Sequence, residues 1–193
     1  MLKHLLLATA LMSSSAFAKT AAKATKLEID PATSKVVYVG KKVTGEHSGE
    51  VKVQSGSLSF EGDVLKTGEV VIDMTTINNT DLTDKEYNKK FVDHMQSDDF
   101  FSTAKFKTAT LVVKSAKKVK GNTYTLTGDL TIKGKTAPIT FDADVTKEAT
   151  TANVKFDRTK YDIKYGSGQF FQGLGDKMIN DDVQLTVNLQ AKK

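Results

Sequence analysis

No cysteine occurs anywhere in the 193 residues of this chain. That absence removes disulfides, thiol chemistry and cysteine-based metal sites together, so the fold must close its core by packing and sheet pairing. Histidine is almost as scarce, with His4, His47 and His94 the only three. A histidine-assisted hydrolase would need one of them beside a nucleophile, and no Gly-x-Ser-x-Gly elbow is present. Neither the metalloprotease helix motif nor a Cys–His cluster occurs, and the expectation is no metal and no cofactor. Long apolar runs are missing after the first dozen residues, which predicts no membrane span.

The N-terminus is different in kind. Met1-Leu2-Lys3-His4 leads into the apolar run Leu5 to Met12, and Ser13-Ser14-Ser15-Ala16-Phe17-Ala18 follows. A short basic start, an apolar stretch too short to cross a bilayer and small residues at Ala16 and Ala18 predict a signal peptide over 1–18, cut after Ala18. The expected location is therefore the periplasm. With no Cys after the cut, the expected mature chain carries no lipid anchor. Residues 19–26 lack bulky apolar groups and read as a flexible leader, leaving 27–193 as one domain.

Loss of Lys3 lowers the formal charge from +5 to +4, with 27 Lys and Arg against 23 acids in the remainder. These charges are scattered, whereas a nucleic-acid binder would concentrate them on one face with exposed aromatics between. Nucleic acid is not an expected partner.

Strand patterns dominate what is there. Tyr124, Leu126, Gly128, Leu130 and Ile132 alternate with Thr123, Thr125, Thr127, Asp129 and Thr131, the period of a half-buried strand. Ile139, Phe141, Ala143 and Val145 repeat the pattern after a turn at 133–138, predicting a hairpin. Val183, Leu185, Val187 and Leu189 alternate likewise, and Val51, Val53, Leu58, Phe60, Val70, Ile72 and Met74 mark earlier strands. With strands also expected over 27–39, 104–113 and 154–163, the count is about eight. Antiparallel strands in that number stack as two sheets or close on themselves, and closure is the favoured expectation.

One segment departs from the pattern. Thr83-Asp84-Lys85-Glu86 reads as a capping box with Thr83 as N-cap, and Leu82 is placed to staple onto Tyr87. Tyr87, Phe91 and Met95 then follow at helical spacing, predicting one amphipathic helix over about 83–95, either a plug for a barrel end or a movable lid.

Two glycine-bearing stretches imitate nucleotide motifs and fail. Gly128 to Thr136 has five residues between its glycines where a phosphate loop requires four, and it alternates like a strand. Gly166 to Gly175 lacks the dinucleotide spacing. That loop carries Phe170, Phe171 and Leu174, which should either cover the core or line a portal.

Three ordered segments then carry a resemblance. Tyr38-Val-Gly40-Lys41-Lys42-Val-Thr-Gly45-Glu-His47-Ser-Gly49, Gln96-Ser97-Asp98-Asp99-Phe100-Phe101 and Gly128-Asp-Leu130-Thr131-Ile132-Lys-Gly134-Lys-Thr136-Ala-Pro138 resemble motifs of the YceI-like family. The similarity runs from about Leu27 to Gln190. It implies an all-β, eight-stranded antiparallel, lipocalin-like β-barrel holding a long polyisoprenoid, an isoprenoid quinone or polyprenyl phosphate, with no catalysis. Eight strands leave room for side chains or one slender ligand. Expected cavity residues are Tyr38, Phe60, Ile72, Phe91, Met95, Phe100 and Phe101, with Phe170, Phe171 and Leu174 at the portal. His47 and His94 are head-group candidates. The alternatives are an exported interaction protein with a packed barrel, acting through a homodimer face, and an enzyme acting on an apolar substrate inside the barrel.

Overall fold

The computed structural model describes residues 23–193. The expected signal peptide, and the leader up to residue 22, lie outside the described residues. The described chain folds into nine strands: β1 Ala24–Glu28, β2 Lys35–Lys42, β3 Gly45–Glu61, β4 Val64–Asp73, β5 Thr108–Lys120, β6 Thr123–Ile132, β7 Lys135–Val145, β8 Ala149–Asp157 and β9 Ile179–Gln190. A helix, α1 Lys85–Gln96, stands between β4 and β5.

All pairings are antiparallel, and the order β3-β2-β9-β8-β7-β6-β5-β4 is closed by β3 pairing with β4. This is the expected eight-stranded barrel, and the ninth strand has a simple origin. Strand β3 is 17 residues long, and β2 pairs with it only from Gly45 to Val51. The remaining edge would be open to other chains; β1 covers it, pairing Ala24 with Glu61 through Glu28 with Ser57. Residues 24–26 are thus strand where a leader was expected, because backbone pairing does not need bulky side chains. Between β1 and β2 the expected single strand over 27–39 is broken. The Asp30 carboxylate accepts from the Ala32 N–H at 3.0 Å and the Thr33 hydroxyl at 2.8 Å beside Pro31, an Asx turn that competes with strand pairing.

The β6–β7 hairpin is as expected. Lys133 and Gly134 both have positive φ, 50° and 69°, the two-residue turn whose twist suits a hairpin and for which glycine is favoured. Outside, Thr125 donates to Asp142 at 2.7 Å and Thr123 to Asp144 at 2.6 Å; inside lie Tyr124, Leu126 and Ile132. Strand β7 pairs with β8 only from Ala143 to Val145. Pro138 stands in the stretch paired on one side, where a missing N–H is tolerated.

Two expected strands have other limits. Strand β5 begins at Thr108, because Ser102 accepts at its carbonyl from the N–H groups of Lys105 and Phe106, both at 2.9 Å, and holds that segment in a loop. Strand β8 ends at Asp157, whose carboxylate caps a 3-10 turn over Arg158–Tyr161.

The topology sorts the loops by length. At one end lie the tight turns at 62–63 and 121–122, the short link 146–148 and the link 29–34 into β2. At the other lie the helix-bearing segment 74–107, the turns at 43–44 and 133–134, and the loop 158–178. The interior divides in the same way. A smaller cluster built on Phe60, Leu65, Tyr124 and Leu126 fills the short-turn end, and a larger one occupies the other.

Candidate functional site

The larger cluster is not filled. It surrounds a cavity of about 180 Å³ whose wall is almost wholly apolar. Strand β2 supplies Val36 and Tyr38, β4 Ile72, β5 Ala109, β6 Leu130 and Ile132, and β9 Val183 and Leu185; α1 and the segment after it add Phe91, Met95, Phe100 and Phe101. Polar groups at the wall come from Lys41, Lys42, His47, Arg158 and Asn180, all near the long-loop end.

Helix α1 reaches the cavity through Phe91 and Met95. Its N-cap is Asp84, whose carboxylate accepts from the N–H groups of Glu86 and Tyr87 at 2.9 Å each. The expected cap was Thr83. A carboxylate can accept two N–H groups and favours the positive helix start, and the one-residue shift removes the expected Leu82–Tyr87 staple. Tyr87, expected on the inner face, is 66% exposed, and Lys90 Nζ lies 5.7 Å from its ring centroid. Helix placement rests on Asn88, which donates to the carbonyls of Asn79 and Leu82 at 3.0 Å each.

The segment after the helix drives two aromatic rings inward. Ser97 accepts at its carbonyl from the N–H groups of Phe100 at 3.1 Å and Ser102 at 2.8 Å. The Ser102 hydroxyl donates to Asp98, and Lys133 holds the Asp98 carbonyl at 2.6 Å. Phe100 and Phe101 are buried as a result.

Across the cavity, Tyr38 donates its hydroxyl to the Asn78 carbonyl at 2.5 Å. A Cβ at Gly49 would collide with that carbonyl and with the Tyr38 ring, so the close approach needs glycine there. Burial pushes the Tyr38 phenol well above its ordinary value, with the Asp81 charge acting in the same direction. It stays protonated.

His47 is the polar residue with the most defined geometry. Its Nδ1 lies 2.8 Å from Asp81 Oδ2, and its ring packs against Phe91 with centroids 4.7 Å apart. Because a carboxylate only accepts, Nδ1 carries the proton, which leaves Nε2 as the other reactive atom of the ring. Asp81 Oδ1 also accepts from the Ser48 N–H and the Asn79 amide, both at 2.7 Å. Burial acts to raise the Asp81 carboxyl, but the hydrogen bonds from His47, Ser48 and Asn79 outweigh it and hold the group below the usual carboxylate range.

Seven of the expected residues therefore meet at the cavity: Tyr38, His47, Ile72, Phe91, Met95, Phe100 and Phe101. Five do not. Phe60 points inward as its alternation demands, but it lies in the second core beside Leu65 and Tyr124. Phe170 and Phe171 are 48% and 49% exposed and Leu174 is half-buried, all three outside the wall. The loop turns outward at Ser167, whose carbonyl accepts from both Phe N–H groups, and Lys164 Nζ lies 5.1 Å from the Phe170 ring. His94 stands behind the wall, bonded to Asp99 at 3.0 Å and edge-on to Phe100 and Tyr165.

Other cavity residues escaped sequence reasoning. Leu130, Ile132, Val183 and Leu185 were already on dry faces, but alternation does not say which half of a barrel a strand position faces. Arg158, the one arginine in the chain, had that rarity as its signal. It is 2% exposed and reaches the carbonyls of Asn180, Ile163, Tyr165 and Ile179 and the Asp181 carboxylate.

A closed antiparallel barrel, packed solid at one end and hollow and apolar at the other beneath a helix, defines a class of small apolar-pocket proteins. The chain belongs to the YceI-like domain family, whose model matches residues 27–191. It is 37% identical over 94 residues to a UPF0312 protein of Shewanella denitrificans, covering 48% of this chain and 46% of that one. Over 70 residues it is 43% identical to Protein YceI of Escherichia coli, covering 35% and 34%. The aligned stretches thus span less than half the length of these curated relatives. Among solved structures, Burkholderia cenocepacia BcnA superposes with a TM-score of 0.67 at 26% identity, over 85% of this chain and 99% of that one. A polyisoprenoid binding domain from Saccharophagus degradans superposes with a TM-score of 0.60 at 17% identity, over 86% and 98%, a likeness of fold.

Proposed function

We propose that this protein is an exported, periplasmic carrier that holds a long apolar lipid of the isoprenoid class in its barrel, the class that gives the polyisoprenoid binding domain of Saccharophagus degradans, of the same fold, its description. The observation that carries the reading is the apolar cavity of about 180 Å³ at the long-loop end. It is somewhat larger than the roughly 150 Å³ engineered cavity that takes up benzene, so roughly one or two isoprene units fit without rearrangement. Each further methylene buried contributes about 0.8 kcal/mol. Longer chains require the wall to yield, and Met74 and Met95, unbranched and flexible, are suited to that.

His47 is placed to receive a polar head group at Nε2, with Lys41 and Lys42 nearby on the same wall. Binding is favoured over turnover by the wall itself. Among the described residues it carries no Ser, Thr, Cys, Asp or Glu, and its one hydroxyl, that of Tyr38, is held protonated and given to the Asn78 carbonyl, so the His47–Asp81 pair has no free hydroxyl, thiol or carboxylate there to activate.

The test is mass spectrometry of organic-solvent extracts from the purified protein beside an unrelated exported control. A stoichiometric isoprenoid enriched over the control is the expected result. A lipid-free protein that also refuses added polyisoprenoids would shift the assignment to a packed-barrel interaction protein. The head-group role of His47 fails separately if His47→Ala leaves affinity for head-group-bearing lipids unchanged.

A further inference from the structure

The long-loop end of the barrel carries most of the exposed large apolar side chains among the described residues. Val43, Tyr87, Tyr165, Phe170, Phe171 and Met178 are 55%, 66%, 45%, 48%, 49% and 36% exposed. All six belong to loops or the helix at the end where the cavity lies; of the other large apolar side chains exposed to a similar degree, Phe106 lies at the same end, Val112 on the barrel wall, and Val64 and Val119 beside the short turns. Four come from the single loop 158–178, and a fifth joins them directly, since the Val43 N–H donates to the Met178 carbonyl at 3.2 Å. The loop is anchored to the cavity wall at both ends. The Ile179 N–H donates to the Gly166 carbonyl at 2.8 Å, and the Tyr165 ring lies 5.5 Å from that of Phe100.

We infer that this surface docks the protein onto an anionic lipid bilayer, with Phe170 and Phe171 inserting and the neighbouring lysines meeting the head groups. Exposed apolar side chains gathered on one loop, as Tyr165, Phe170, Phe171 and Met178 are, mark a contact surface. The chemistry of the rim selects a membrane over a protein groove. Tyr87 and Tyr165 are amphipathic rings of the kind that settle at the membrane–water boundary. Lysines interleave with the patch: Lys164 lies over Phe170, and Lys42 and Lys177 form no ion pair among the described residues. Lys164 pairs with Asp162 at 2.7 Å and Lys41 with Glu46 at 3.3 Å, both exposed contacts that an anionic surface can outcompete. Docking in this pose brings the cavity end to the membrane, the phase in which an isoprenoid dissolves. To that extent the inference deepens the carrier reading and rests on it.

The experiment is co-sedimentation of the purified protein with phosphatidylcholine vesicles, with and without phosphatidylglycerol, for wild type and Phe170→Ser/Phe171→Ser. Both phenylalanines stand outside the cavity wall, so thermal unfolding should be unaltered and serves as the folding control. The expected result is salt-sensitive sedimentation with the phosphatidylglycerol vesicles, reduced about tenfold or more in the double variant. Lys164→Glu/Lys177→Glu should reduce it as well. Absence of sedimentation, or sedimentation indifferent to both double variants, overturns the inference. A concentration-dependent dimer abolished by Phe170→Ser/Phe171→Ser also overturns it, by assigning the patch to a second copy of the chain. Isoprenoid delivered from detergent separates the two readings. Uptake from detergent without vesicle binding ends the docking inference alone, whereas vesicle binding without uptake ends the carrier reading alone.

Discussion

Arg158 concentrates more polar contacts than any other side chain among the described residues, and it does so while buried in the cavity wall. Burial lowers the guanidinium's affinity for its proton, and the charges of Asp181 and Asp157 oppose that effect. Removing one member of a buried charge pair costs about 3–5 kcal/mol, because the partner stays behind unpaired. Arg158→Met should therefore lower stability by about that amount in urea denaturation, leaving Asp181 and four carbonyls without their donor. Arg158→Lys should not restore it, since an ammonium cannot reproduce the guanidinium's fan of donors.

Asp81 makes a prediction in pH at the same scale. Its carboxyl is held below the ordinary value in the folded chain. The stability it contributes is thus present in full above the unfolded value near 4 and is lost as pH falls through the folded value. Asp81→Asn should be less stable than wild type at neutral pH. That difference should shrink as the solution is acidified below about pH 4. A difference constant with pH in chemical denaturation would mean that the carboxylate charge is irrelevant and only the shape of the side chain matters.

At the scale of elements, α1 offers a test of its cap. Asp84→Ala should cost about 0.5–2 kcal/mol in thermal or urea unfolding, and Thr83→Ala much less. The sequence placed the cap one residue early because Thr-x-x-Glu is a recognised box, while the adjacent Asp satisfies two N–H groups at once. The strands show where such reading succeeds and fails. Alternation in β6, β7 and β9 was legible because the wet faces pair Thr with Thr and Asp between β6 and β7 and Thr186 of β9 with Asn153 of β8, leaving one possible orientation for Leu126, Ile132 or Leu185. Ends were less legible. Strand β1 was invisible because backbone pairing with β3 holds it and Ala24, Thr25 and Lys26 carry no pattern. Strand β8 could not be seen to stop at Asp157, because the signal of its end is a cap on a 3-10 turn. Seven of twelve expected site residues reached the cavity wall or its rim; the failures were a closed-end phenylalanine and residues of or behind the 158–178 loop, whose paths no local pattern encodes.

At the scale of the whole molecule, the barrel separates the work of stability from that of binding, because one end is packed and the other hollow. Phe60 and Ala109 are the probes that pull the two apart. Phe60 is 2% exposed in the packed end, so Phe60→Ala should cost about 3–5 kcal/mol, measured by urea denaturation. Isoprenoid bound per folded molecule should be unchanged. Ala109 is also buried, but in the cavity wall, opposite Ile72 across the β4–β5 pairing. A larger side chain there has empty space to enter, so Ala109→Leu should escape most of the usual cost of about 1–3 kcal/mol for overfilling a core. The unliganded variant should unfold close to wild type. The ligand is where the two differ. At free isoprenoid one hundred times its dissociation constant, binding stabilises the wild type by about 2.7 kcal/mol. For a chain of this size that raises the unfolding temperature by roughly 5–11 °C. Ala109→Leu should lose most of that rise while Phe60→Ala keeps it, both read by scanning calorimetry with and without lipid. If the two variants show the same ligand-induced rise, the lipid binds somewhere other than the cavity, and the hollow end is only an imperfectly packed core.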